Sequence, residues 1–141
     1  LNFRTLLFLH NIKEIRYKLY NEKEGKYTKT VKKDNNIVTL SDGNKNIEKW
    51  LVFNEKFNQK QNIDVAYKLD NSKIVPINNA KLFVYFQTDK DTRLKFLING
   101  PFETTPARDN INDNKINKEI LNSTLRCSMG DTRFQNKRIP R

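Results

Sequence analysis

Two short runs in this sequence are apolar at every position, and they restrict the fold more than any other feature. Residues 50–53 read W-L-V-F, and residues 82–86 read L-F-V-Y-F. Their aromatic and β-branched side chains favour a strand over a helix. Successive side chains of a strand point to opposite faces of the sheet, so a strand that is apolar on both faces needs cover on both. We therefore predict that both runs are central strands with little exposure to solvent.

Alternating segments supply the neighbours of these strands. The clearest is I-D-V-A-Y-K-L at residues 63–69, where every second side chain is a large apolar one. Shorter strand patterns occupy residues 15–20 and 27–33, and residues 37–40 form a short apolar run. Turn sequences such as S-D-G-N at residues 41–44 separate them, which is typical of antiparallel strands joined by short connections. Pro76 lacks a backbone donor, so it predicts an edge strand or connector over residues 73–77.

Helical spacing marks both ends of the chain. Phe3, Leu6, Leu7 and His10 predict a short helix over residues 2–10. Ile116, Ile120, Leu121 and Leu125 share one face of a second helix, which Asp113 or Asn114 can cap. Residues 127–141 have no periodicity, and we interpret them as an irregular basic tail. The predicted fold class is α+β, a mostly antiparallel sheet of about five to seven strands with a short N-terminal helix and a C-terminal helix.

Residues 94–111 combine an alternating strand over 94–98, a Gly100–Pro101 corner and a predicted helix start. Gly tolerates positive φ and Pro lacks the donor that a sheet needs, so the strand should stop there. Thr105 suits an N-cap and Pro106 the first helical position, which places Arg108 in the first turn. The helix dipole disfavours an arginine there until an anion arrives, when backbone N–H groups and the guanidinium can bind phosphate oxygens together.

Two motifs in this chain resemble a known family. The run N-G-P-F-E-T-T-P-A-R-D-N-I at residues 99–111 resembles a segment of bacterial GHKL, or Bergerat-fold, ATPases related to the N-terminal repeats of sacsin. More distantly, its A-R-D-N-I is similar to the S-R-E-x-L loop in the middle domain of the ninety-kilodalton heat-shock chaperone. The run L-L-F-L-H-N-I-K-E-I at residues 6–15 resembles the segment that closes the ATPase domain of the same proteins. The resemblance spans residues 3–126.

The resemblance implies a domain organisation and a function. Residues 1–20 would be the C-terminal edge of a GHKL ATPase domain, and residues 21–126 a β-rich middle, or transducer, region before the basic tail. Because the first residue is Leu and not Met, we expect a fragment of a longer protein. Such a segment senses the γ-phosphate of ATP and couples the nucleotide state to a conformational change.

The same resemblance assigns the site residues and partners. Arg108 matches the arginine that reaches the γ-phosphate, so it is the expected catalytic and nucleotide-binding residue. Asn112 falls where the chaperone family has a second polar contact to the nucleotide. ATP and Mg²⁺ would be bound mainly by residues upstream of this chain, and the main partner would be the upstream ATPase domain, with a homodimer as a further option.

The sequence lacks the boxes with which that family holds Mg-ATP. Neither D-x-G-x-G nor G-x-x-G-x-G occurs, no G-x-x-x-x-G-K-[ST] loop is present, and the chain has only 4 glycines. His10 and Cys127 are the only residues of their kinds, so a soft metal site or a Cys–His nucleophile pair has little support. We expect ATPase activity only from a longer chain that includes this one.

The chain carries 27 Lys and Arg against 16 acidic residues, a net charge of +11 that would attract polyanions. Two alternative functions therefore stay open, a ligand-free scaffold domain and a basic β-rich module that binds nucleic acid weakly and without specificity. Stacking residues of such a module would be Tyr17, Tyr20, Tyr27 or Trp50. No segment is typical of a signal peptide or a membrane span, so we expect a cytoplasmic location and no membrane partner.

Overall fold

The computed structural model of the protein describes the backbone of residues 2–138 and the side chains of residues 2–127. Nine strands within these residues form one sheet. They are β1 (Glu14–Lys18), β2 (Glu24–Lys32), β3 (Ile37–Ser41), β4 (Ile47–Lys56), β5 (Asn62–Asp70), β6 (Lys73–Val75), β7 (Lys81–Val84), β8 (Phe86–Asp91) and β9 (Leu97–Asn99). A 3-10 helix (Phe3–Leu6) precedes the sheet and α1 (Lys115–Arg138) follows it.

The order of strands across the sheet is β1-β2-β3-β4-β5-β9-β7-β8, and β6 also pairs with β5. Strands β1 to β5 form an antiparallel meander, while β7 and β9 pair in parallel through Phe83 and Asn99. The mostly antiparallel α+β fold is thus confirmed, but the described strands exceed the predicted five to seven. The excess arises after β5, where residues 73–99 contain four strands of three to six residues.

The first doubly apolar run is a central strand, as predicted. It lies in β4 between β3 and β5, with Trp50 and Leu51 buried on opposite faces. The second run is divided. Its first half, in β7, is buried, but Tyr85 has a φ of 64° and turns the chain into β8, where Phe86 is 52% exposed. The prediction of one continuous central strand over residues 82–86 is therefore wrong, because a left-handed residue breaks it.

The N-terminal segment covers one face of the sheet. Only one 3-10 turn forms there, so the helix predicted over residues 2–10 is shorter than expected. Phe8 is fully buried, with its ring centroid 4.9 Å from that of Phe83. Arg4 holds the segment in place, since its guanidinium donates two hydrogen bonds of 2.8 Å to the Glu48 carboxylate. The boundary predicted at residue 20 falls in the turn between β1 and β2 and stays a prediction.

Helix α1 covers the opposite face of the sheet. Asn114 caps it as predicted, because its Oδ1 accepts a hydrogen bond of 2.8 Å from the Asn117 backbone N–H. Over residues 115–127, where the side chains are described, the buried residues of the helix are Asn117, Ile120, Thr124 and Cys127, whereas Ile116, Leu121 and Leu125 are 36% to 49% exposed. The predicted apolar face is therefore wrong except at Ile120. Asn117 explains the rotation, because its side chain makes three hydrogen bonds to the backbone of Glu103 and Asn112.

The helix continues through Arg138, so the irregular tail predicted from residue 127 is wrong over residues 127–138. The segment contains weak helix formers such as Gly130 and Asp131, but a helix that has already started extends one hydrogen bond at a time. The rest of the predicted tail, residues 139–141, lies outside the described residues.

Candidate functional site

Residues 104–111 form a closed loop, which we call the Arg108 loop. Its two ends meet in a bridge between Thr104 and Ile111. Inside it, the Thr105 carbonyl accepts a hydrogen bond of 2.9 Å from the Arg108 N–H, and the Thr105 hydroxyl donates one of 2.7 Å to Asp109. The predicted helix start at Thr105 is wrong, because Arg108 takes a left-handed φ of 56° and ends the helical turn after one step. The argument from a helix dipole therefore does not apply to this arginine.

The Arg108 loop rests on the turn between β7 and β8. The Arg108 carbonyl accepts a hydrogen bond of 2.9 Å from the Asp89 N–H. Its guanidinium, through Nη2, lies 3.4 Å from the carbonyl oxygens of both Val84 and Phe86. These two side-chain contacts are long for hydrogen bonds and therefore weak. The backbone of Arg108 is held by its hydrogen bonds to Thr105 and Asp89. Among residues 2–127, no ion pair includes Arg108, so its guanidinium keeps donors for another acceptor.

Asn112, the second residue that the resemblance implies, lies just after the loop and is exposed. Its backbone N–H donates 2.9 Å to the Glu103 carbonyl, and its carbonyl accepts 2.7 Å from Asn117 Nδ2 on α1. Asn112 thus directly follows the Arg108 loop, but Arg108 contacts the β7–β8 turn and Asn112 contacts α1.

Gly100 has a different role from the one expected. Of the glycines in the described part of the chain, Gly43 alone has a positive φ, of 81°, so Gly100 is not needed for its backbone angle. A Cβ at Gly100 would lie 3.0 Å from Ile120 Cγ2 and 3.0 Å from Phe102 Cε2. Gly100 is therefore required for the close approach of α1 to the end of β9.

A row of hydrogen-bonded polar side chains, which we call the polar row, crosses the sheet beneath the N-terminal segment. Asn54, Asp64 and Asn99 are register partners on β4, β5 and β9. Asp64 Oδ1 accepts a hydrogen bond of 2.7 Å from Asn54 Nδ2, and its Oδ2 accepts one of 2.8 Å from Asn99 Nδ2. His10 Nε2 lies 3.6 Å from the same Oδ2. Asp64 and Asn99 are fully buried, so this carboxylate depends on protein partners instead of water.

His10 and Asp64 interact electrostatically. Asp64 raises the pKa of His10, first as a hydrogen-bond acceptor and also through its negative charge, while partial burial and the charge of Lys29 oppose the shift. The imidazole side chain is 46% exposed, so solvent screens this interaction.

The polar row also reaches the Arg108 loop. Asn99 Oδ1 accepts a hydrogen bond of 2.6 Å from the backbone N–H of Tyr85. Tyr85 is the left-handed residue between the two carbonyl groups that Arg108 contacts. A series of polar contacts thus runs from His10 through Asp64 and Asn99 to the Tyr85 N–H, and Arg108 contacts the carbonyls of the residues on either side of Tyr85.

Sequence reasoning missed this row. Asp64 occurs in the most regular alternating segment of the chain, where a polar residue is normally taken to face solvent. One indication was available, because a neighbouring strand with two apolar faces implies cover on both faces of β5 as well.

The proposed stacking residues differ in their surroundings. Trp50 is fully buried, so it cannot stack on a base without unfolding, and that part of the nucleic-acid alternative is wrong. The rings of Tyr17 and Tyr27 lie 5.0 Å apart, while Tyr20 is fully exposed.

Within the described part of the chain, no three His, Cys, Asp or Glu side chains are grouped as metal ligands. The helices described here include none with the length and apolar character needed to cross a membrane. No protein-family model matches the chain, and neither a curated protein nor a solved structure matches it.

Proposed function

We propose that this chain is the middle-domain segment of a GHKL-type ATP-binding protein, in which it senses the nucleotide γ-phosphate and couples the state of ATP to a conformational change. The proposal includes a cytoplasmic location and an upstream ATPase domain as the main partner. Its starting point is the resemblance of residues 6–15 and 99–111 to two segments of that family.

One observation carries the proposal, which is that these two motifs converge on a single buried oxygen atom. His10 belongs to the first motif and Asn99 begins the second. His10 Nε2 and Asn99 Nδ2 lie 3.6 Å and 2.8 Å from Asp64 Oδ2. His10 and Asn99 are far apart in the sequence, so the fold brings them together, and the Asp64 carboxylate that both contact is fully buried. This geometry supports a common role for the two motifs.

Arg108 is the residue that we assign to the γ-phosphate. Its backbone is fixed by hydrogen bonds to Thr105 and Asp89, so the loop needs little reorganisation. Its guanidinium has only two long contacts to backbone carbonyls among the described residues, and a phosphate oxygen is a much stronger acceptor for a planar cation. Bound ATP would supply the anionic terminal group, and Mg²⁺ would be held by residues outside this chain.

The polar row gives the segment a means of coupling. When Arg108 turns toward an anion, the carbonyls of Val84 and Phe86 lose their contacts with the guanidinium. Those carbonyls flank Tyr85, whose N–H binds Asn99 of the polar row. We assign to this row the transmission of a change at Arg108 to His10 and the N-terminal segment.

The experiment compares ATP turnover of intact proteins that contain this chain with and without the arginine. Arg108→Ala should lower turnover at saturating ATP by about 10²-fold or more, the scale of losing one charge-stabilising donor. Arg108→Lys should restore only part of it, because a point charge lacks the bidentate fork. Arg93→Ala is the matched control, since Arg93 also has a left-handed φ, of 60°, and lies in the loop between β8 and β9. Unchanged turnover in Arg108→Ala, or an equal loss in Arg93→Ala, would overturn the proposal.

A further inference from the structure

A basic cleft lies beside the polar row, between the N-terminal segment and strands β2 to β5. It has a volume of about 720 Å³, and we name it by its four lysines, Lys13, Lys29, Lys32 and Lys33. Cavities of this size accommodate small molecules. None of its lining residues belongs to the Arg108 loop.

Among the described residues, none of the four lysines of the basic cleft forms an ion pair with a carboxylate. Asp64 also borders the cleft, but its oxygens are occupied by Asn54, Asn99 and His10. The four lysines repel each other in one concave surface, and the single Asp64 carboxylate offsets only part of that repulsion, so a bound anion would lower the electrostatic free energy of the cleft.

Lys29 is the member that distinguishes this cleft from an ordinary basic surface. Only 7% of the residue is exposed. Its Nζ donates hydrogen bonds to the carbonyls of Leu9 at 3.1 Å and Leu7 at 3.4 Å, which uses two of its three N–H groups. Burial lowers the pKa of Lys29, the nearby charge of Lys13 adds to that effect, and Asp64 opposes it. A nearly buried ammonium whose two hydrogen-bond acceptors are neutral carbonyls keeps one N–H group for an anion, which would stabilise its charge.

We propose that the basic cleft binds a compact oligophosphate, an anion with several phosphate groups on a short chain, through Lys29 at its floor and Lys13, Lys32 and Lys33 at its rim. Several ammonium groups match several phosphates, and Lys is a common point-charge partner of phosphate. A duplex backbone is too broad to reach the recessed Lys29, so the geometry favours a small ligand over nucleic acid. This binding site goes beyond the γ-phosphate contact assigned to Arg108.

The test is calorimetric titration of inorganic triphosphate into the protein, with inorganic phosphate as the comparison. Triphosphate should bind with one site per chain, and phosphate at least about tenfold more weakly, since it can contact fewer lysines. The double variant Lys32→Gln/Lys33→Gln should lower the triphosphate affinity at least about tenfold. The matched control Lys45→Gln/Lys60→Gln removes the same charge from exposed lysines outside the cleft and should leave the affinity within about twofold.

His10 supplies a second measurement at the site itself. It borders the cleft and is the only histidine in the chain, so its imidazole NMR signals need no further assignment. They should shift on addition of one equivalent of triphosphate, and the shift should be lost at that concentration in Lys32→Gln/Lys33→Gln. Equal loss of affinity in both double variants, an unmoved His10 signal, or tighter binding of a single-stranded oligonucleotide than of triphosphate would overturn the assignment. These readouts do not depend on ATP turnover or on Arg108, so failure here and failure of the ATPase proposal are separable.

Discussion

Replacing Asp64 by Ala is the strongest test of the polar row. The substitution removes the acceptor of two amide groups, Asn54 Nδ2 and Asn99 Nδ2. Asn99 is fully buried, so its Nδ2 group cannot hydrogen-bond to water. Leaving this donor unsatisfied should cost about 1–3 kcal/mol of stability. Asn54 is exposed as a residue and can recover a hydrogen bond from solvent.

The full change in the free energy of unfolding also includes the cost of the cavity that the missing carboxylate leaves. A void at a fully buried position costs a further 1 kcal/mol or so, and removal of a buried charge offsets part of the total. We therefore expect Asp64→Ala to lower the free energy of unfolding by about 2–4 kcal/mol. Asp64→Asn keeps the shape and one acceptor for the Asn99 amide, so it should lose only about 1 kcal/mol.

The assay is urea unfolding followed by fluorescence of Trp50, which is the only tryptophan and is fully buried in the native state. Asp70→Ala is the matched control, because Asp70 lies on the same strand and is exposed. It should change the free energy of unfolding by no more than about 0.5 kcal/mol. If Asp64→Ala is as stable as Asp70→Ala, Asp64 does not organise the row and the reasoning is refuted.

Two further substitutions test the packing and the electrostatics of the same region. Gly100→Ala should lower the free energy of unfolding by about 1–3 kcal/mol, because its Cβ would press on Ile120 of α1, and a near-native urea midpoint would contradict that contact. Because Asp64 raises the pKa of His10, the stability that this pair contributes is fully present below about pH 6.5 and is lost as pH rises through the higher folded-state pKa. Unfolding at pH 6 and pH 8 should show this loss in the parent and a smaller one in His10→Gln, and identical pH dependence in both would rule out the linkage.

Much of the meander could be predicted from local patterns. Strand β5 forms where the alternating segment predicts a strand, although both of its faces are buried over residues 63–67. The turn at residues 41–44 forms around Asp42, whose Oδ1 accepts a hydrogen bond of 2.8 Å from the Asn44 N–H. The Asn114 cap was also predictable, because one side chain and the next helical turn determine it. Each of these features depends on interactions within a few residues.

The remaining features depend on distant partners, and local patterns do not contain them. The rotation of α1 is set by Asn117, which binds backbone groups of the loop before the helix instead of facing solvent. Tyr85 adopts a positive φ that is typical of glycine, and its N–H donates a hydrogen bond to the side chain of Asn99, 14 residues away. The Arg108 loop was predicted as a helix start because Thr105 and Pro106 suit one, but neighbouring Asp and Asn residues hydrogen-bond locally and favour a turn.

The most direct test of γ-phosphate sensing is the ratio of affinities for a non-hydrolysable ATP analogue and for ADP, measured in the intact protein with and without Arg108. A contact made only to the terminal phosphate affects ATP and not ADP. Arg108→Ala should therefore weaken the ATP analogue about tenfold or more, the value of one charge-assisted hydrogen bond, and leave ADP within about twofold. If both nucleotides weaken equally, or if neither affinity changes, Arg108 does not sense the γ-phosphate.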